Sequence, residues 1–177
     1  MRKPLFFISV VILIVLSGCV SQKLENNKGL IKSDIEVKQL VSDYSNGNIE
    51  DQSASINSTQ LIVKNQDNSQ LTYALPNDEF FVSIAPYIKQ THPCATHSLT
   101  GCRGELINQD FEVYIEDNDG NVIMDGKITS NSHGFIDLWL PRDKEFHISI
   151  SQNEKTVKSK FSTFESDDTC NTTMQLI

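Results

Sequence analysis

Between Phe111 and Phe164 apolar and polar residues alternate with a period of two, interrupted at short intervals by turn residues, and few folds accept that pattern. Phe111, Val113 and Ile115 alternate with Glu112, Tyr114 and Glu116, which gives a strand one apolar and one polar face. Asp117-Asn118-Asp119-Gly120 is a turn, and Val122-Ile123-Met124 begins the return strand. Phe135 to Leu140 is a further strand ended by Pro141, Phe146, Ile148 and Ile150 alternate again, and Val157 to Phe164 supplies another strand. Half-buried strands need a second apolar layer. The segment therefore reads as an antiparallel β-sandwich with Phe111, Val113, Phe146 and Ile148 turned inward.

Upstream, helix chemistry appears once. Ser33-Asp34-Ile35-Glu36 has capping-box spacing, Val37, Leu40, Val41 and Tyr44 follow at helical intervals, and Asn46-Gly47 supplies the stop. This predicts a short amphipathic helix over about Asp34 to Ser45 whose apolar stripe is a packing face. Gln60 to Lys64 and Gln70 to Leu75 read as strands around the polar turn 65–69, and Phe80 to Ile84 as a third, limited by Pro86. The fold class is mainly β (α+β), a small helix-plus-strands region at 33–90 followed by a site loop and sandwich at 91–177. The sandwich resembles transthyretin-like and immunoglobulin-like modules of secreted proteins, a likeness that carries no function by itself.

The N-terminus names a compartment. Arg2 and Lys3 precede an apolar run from Leu5 to Leu16 broken only by Ser9. About a dozen apolar residues are too few to span the bilayer as a helix and suit the core of an export signal. Leu16-Ser17-Gly18-Cys19 then resembles a bacterial lipobox, which implies a signal at 1–18, cleavage before Cys19, lipid on Cys19 and a polar tether at 19–32. Removing 1–18 leaves 13 basic against 23 acidic groups, hence a charge of −10. That balance excludes an electrostatic nucleic-acid binder, which needs a basic face. Attachment to the membrane is expected through lipid rather than through basic side chains.

With Cys19 consumed by lipid, Cys94, Cys102 and Cys170 remain. Outside the cytoplasm thiols tend to pair, and three cannot all pair within one chain. From His92 to Cys102 two cysteines and two histidines, His92 and His97, fall in a loop marked by Pro93 and Gly101, with no carboxylate between. Thiolate and imidazole are ligands for Cu(I) and Zn(II), not for Mg or Ca. Two readings stay open on spacing alone: a Cys94–Cys102 disulfide with Cys170 buried, or a metal site that recruits Cys170. No Cys-x-x-Cys occurs, so the thioredoxin motif is absent. His147 follows inward Phe146 and is expected on the surface, His133 lies in a turn, and Met174 shares a face with Leu176, which reads as core.

At these residues the chain resembles the CueP family of periplasmic copper-binding proteins. The matching segments are Phe81 to Tyr87, then Thr91-His92-x-Cys94-x-x-His97-Ser98-Leu99-Thr100-x-Cys102-x-Gly104-Glu105-Leu106, Gly134-Phe135, Trp139 to Asp143, and Asp168-Thr169-Cys170-x-Thr172-Thr173. The resemblance implies copper binding through Cys94, Cys102 and Cys170; His97, and after it His92, are expected beside them as a neighbouring ligand or proton acceptor. It also implies a β-rich homodimer, copper handling under copper stress, and transfer to a recipient such as a copper-zinc superoxide dismutase. Thiol-dependent reduction of Cu(II) or Fe(III), with a thiol-disulfide oxidoreductase as partner, is the alternative from another class. Zinc is the lesser candidate metal. The better-known members are soluble in the periplasm, whereas this chain carries a lipobox.

Overall fold

A computed structural model describes residues 33–50 and 52–177; the signal, Cys19 and the tether lie outside them. The capping box forms as expected: Ser33 Oγ accepts the Glu36 N–H, the Glu36 carboxylate accepts the Ser33 N–H, and helix α1 (Asp34–Ser45) starts there. Asn46 caps its end, and Gly47 follows at φ +74°, a conformation glycine adopts without a Cβ penalty. Val37, Val41 and Tyr44 form its buried stripe.

Eleven strands follow among the described residues. They are β1 (Ser53–Ile56), β2 (Gln60–Lys64), β3 (Gln70–Ala74), β4 (Glu79–Ile84), β5 (His97–Ser98), β6 (Asp110–Asp117), β7 (Val122–Thr129), β8 (Ile136–Pro141), β9 (Glu145–Gln152), β10 (Lys155–Ser162) and β11 (Cys170–Asn171). They assemble as three sheets, in the orders β3-β2-β1-β5, β10-β9-β6-β7 and β11-β4-β8. All named pairs are antiparallel except β11 with β4, which is parallel.

The alternation of β6 and β9 becomes the main core. Phe111, Val113, Ile115, Phe146, Ile148 and Ile150 pack against Phe80, Val82 and Ile84 of β4 and Ile136, Leu138 and Leu140 of β8, with Met174 and Leu176 closing the edge. The four residues expected inward are inward, and Met174 is a core residue, 1% exposed. The fold is thus a β-sandwich with a small α+β layer attached.

One strand crosses the division between the two regions. Phe80–Ile84, read from sequence with the helix and first hairpin, pairs along its length with β8 and forms one wall of the sandwich. The physical reason is that β4 is apolar on both faces, so its sequence shows no side on which it must stop. Phe80, Val82 and Ile84 face the sandwich, whereas Phe81 joins a second core with Val37, Val41, Tyr44, Leu61 and Leu99 under α1 and the first sheet. The Phe81 and Trp139 rings meet edge to face at 5.2 Å and seal this second interface. The three-stranded sheet is consequently the middle layer, and its second face carries the site.

Candidate metal centre

Three neighbouring positions on the middle sheet define the floor of the site. In the ladder Cys170 is opposite Ser83, and Ser83 is opposite Asp137. Register partners project to the same face, so the three form a row across β11, β4 and β8. They lie on the face opposite the sandwich core.

The roof is the segment between Tyr87 and Leu106. It is tied down by backbone bonds: Cys170 N–H donates to Ala95 O at 3.1 Å, β5 pairs His97 with Ile56, and Cys102 N–H donates to Ser98 O at 3.0 Å. Thr169 adds a side-chain tie, accepting the His97 N–H and donating to Ile56 O. At the base of the loop the Glu105 carboxylate accepts three backbone N–H groups, of Ile88, Lys89 and Gln90, at 2.7–3.1 Å. That lowers the Glu105 pKa, through Lys89 first. Gly104 crosses Gly134 so closely that a Cβ on Gly104 would stand 2.3 Å from the Gly134 carbonyl oxygen. Only glycine permits that approach.

These constraints bring Cys94, His97, Cys102 and Cys170 together, with one ligand atom of each within 4.8 Å of all the others. The Cys94 and Cys102 sulfurs are 3.6 Å apart and unbonded, and all three cysteines are free thiols. A disulfide needs about 2.05 Å. His97 is buried, with Nδ1 3.4 Å from Cys170 Sγ and Nε2 3.2 Å from Ser83 Oγ. Its ring packs on Phe135 at 4.5 Å. Cys94 and Cys102 are half-buried and Cys170 is buried. A cavity of about 270 Å³, lined by Val82, Cys94 and Cys170 with Asp167 and Asp168, adjoins the sulfurs.

The electrostatics divide the three thiols. The contact with Cys170 first, with help from the Ser98 backbone, holds the Cys102 thiol well below the usual thiol range despite burial. Burial first, and the neighbouring Cys102 and Asp168 in the same sense, push Cys94 up to about 11, with Cys170 opposing. Cys170 is raised further still, by its bond to Cys102 first and by burial second. The three thiols are thus unequal, with Cys102 the first to give up its proton and Cys94 and Cys170 the ones that hold theirs.

His92 stands outside the group of four. Its ring meets Phe135 edge to face at 6.5 Å, and its Nε2 is buried without a hydrogen bond of ordinary geometry. His133 Nδ1 donates to Leu99 O at 2.8 Å and so buttresses the loop. His147, on β9, lies 3.8 Å from Glu116 of β6, away from the site. Sequence reasoning missed Ser83, Asp137 and Thr169. Ser83 alone left a trace, a serine inside the apolar run Phe80 to Ile84.

Three thiols and an imidazole, free of carboxylates and half-sheltered, form a donor set for a soft or borderline metal ion. Comparison with known proteins agrees. A family model described as "Periplasmic copper-binding protein CueP" matches residues 36–175. A solved structure, "Crystal Structure of S.CueP", is 38% identical, covers 80% of this chain and 88% of its own, and superposes with a TM-score of 0.75. A search of curated proteins gives no match. With its cysteine-histidine cluster placed inside the matched region, the chain belongs to the CueP family of periplasmic copper-binding proteins.

Proposed function

We propose that this chain is a lipid-anchored extracytoplasmic protein that holds Cu(I) on Cys94, Cys102 and Cys170, with His97 beside them, for storage or for delivery to a recipient cuproprotein. The observation that carries the reading is the convergence of three sulfurs and one imidazole within 4.8 Å. Thiolate suits Cu(I) by softness, and three thiolates enclose it without a fourth protein ligand. The same set with His97 would also close a tetrahedral zinc site; the copper-binding family favours copper. A recipient such as a copper-zinc superoxide dismutase fits a cargo held near the surface. His92, outside the group of four, is the lesser imidazole candidate.

Titration of Cu(I) against a competing chelator, on protein beginning after Cys19, tests this. One equivalent should bind, each single Cys→Ser change should weaken binding greatly, and His97→Ala should weaken it less. X-ray absorption should show sulfur-dominated copper. If Cys170→Ser bound copper as tightly as the parent, the shared site would be wrong.

The 3.6 Å approach of Cys94 to Cys102 supports a second reading. Two Cu(II) ions could each take one electron from this dithiol, giving two Cu(I), one disulfide and the protons of the thiols. A thiol-disulfide oxidoreductase would then restore the thiols. Turnover of Cu(II) or Fe(III) with a thiol reductant separates this reading from stoichiometric binding.

A further inference from the structure

His97 is held from behind by a chain of side chains whose donors and acceptors can be assigned one by one. Asn131 Oδ1 accepts the backbone N–H groups of His133 and Phe135 at 2.9 and 3.0 Å. The amide orientation is thereby set, and Nδ2 is the atom 3.1 Å from Asp137 Oδ2. The other carboxylate oxygen, Oδ1, accepts from Ser83 Oγ. A carboxylate only accepts, and a serine hydroxyl has one proton to donate. The Ser83 proton therefore points to Asp137, and the Ser83 lone pairs face His97 Nε2 at 3.2 Å. Nε2 must carry the hydrogen of the neutral ring. Nδ1 is left as a lone pair aimed at Cys170 Sγ, 3.4 Å away.

We infer that Ser83 and Asp137 are positioning residues of the metal centre: they lock His97 in the Nε2–H tautomer so that Nδ1 is the nitrogen presented to the metal. The inference rests on the copper reading above for its consequence, and on the row Cys170–Ser83–Asp137 for its geometry. Metal-binding histidines commonly donate their second nitrogen to a carboxylate or carbonyl, which fixes the tautomer and raises ligand basicity. Here a serine is interposed, because Asp137 lies one strand beyond reach and Ser83 is its cross-strand partner. Asp137 also borders an open groove beside α1 with Lys38, Ser42 and Asn46, so the carboxylate keeps contact with water while the imidazole does not.

Asp137→Asn tests the lock with little change of shape. A carboxamide can donate to Ser83, which turns the Ser83 proton toward Nε2 and moves the ring hydrogen to Nδ1, facing the site. Nitrogen-15 NMR of the metal-free protein should show a protonated Nε2 at His97 in the parent and a gain of the Nδ1–H form in Asp137→Asn. Cu(I) affinity should fall about ten- to hundred-fold, the usual cost of removing such a partner, and imidazole scattering should drop in the X-ray absorption spectrum while sulfur scattering stays. In a His97→Ala background Asp137→Asn should cost no further affinity. A purely structural role would give the same loss in both backgrounds, and that result, or an unchanged His97 tautomer, overturns the inference. Ser83→Ala, smaller and uncharged, provides a second variant and should repeat the pattern. Were the parent to bind no copper, the functional reading would fall, yet the metal-free NMR comparison would still decide the tautomer.

Discussion

At the scale of residues, proton bookkeeping distinguishes the three cysteines although they converge on one point. Cys102 is shifted toward losing its proton, whereas Cys94, raised to about 11, and Cys170, raised beyond it, are shifted toward keeping theirs. Ligation by all three should therefore expel about two protons, those of Cys94 and Cys170. Cu(I) affinity should accordingly rise with pH, by about two log units per pH unit through the neutral range, and weaken in acid. Calorimetry in buffers of different ionisation enthalpy measures the count. A release near zero or near three protons would contradict this ordering of the thiols. Cysteine and histidine identity was legible in the sequence as a donor set. Which thiol ionises first was not, because that depends on the Cys170 contact with Cys102, made across more than sixty residues of chain.

At the scale of elements, the loop from Tyr87 to Leu106 owes its shape to its two ends. Gly104 against Gly134 sets how near the loop lies to the β7–β8 turn. Gly104→Ala should cost about 1–3 kcal/mol through overpacking and also weaken copper binding, since Cys102 is two residues away; urea unfolding and chelator competition read the two effects. Unchanged copper affinity would show that the crossing is structural only. The β6–β7 hairpin is organised by Asp117, which accepts Lys144 Nζ at 2.8 Å and N–H groups of Asp119 and Asn121. Lys144 above all holds the Asp117 carboxyl well below the usual range. A depressed folded pKa contributes stability above the unfolded value, roughly 3.9, and loses it as pH falls through the folded one. Asp117→Asn should therefore lower the melting temperature at pH 7, and the difference from the parent should shrink below about pH 4. A gap independent of pH would rule out the ionic contribution.

At the scale of the whole molecule, the site exists because a middle sheet has a core on one face and chemistry on the other. Among the described residues no helix is long and apolar enough to cross a membrane, and the proposed tether is lipid on Cys19. Cys19→Ser should leave the signal uncut by the lipoprotein peptidase; the mass of the mature N-terminus and membrane fractionation check it, and a free, unacylated terminus elsewhere would refute the anchor. The sequence by itself determined the helix with its caps, the half-buried strands of the sandwich and the soft donor set, because each depends on neighbours within a few residues or on a simple period. Only the tertiary structure decided that β4 belongs to both cores, that Cys170 joins a loop some seventy residues upstream, and that Ser83 and Asp137 stand behind His97. Those relations are set by strand register between distant segments, and a strand buried on both faces carries no periodic mark of which partner lies on which side.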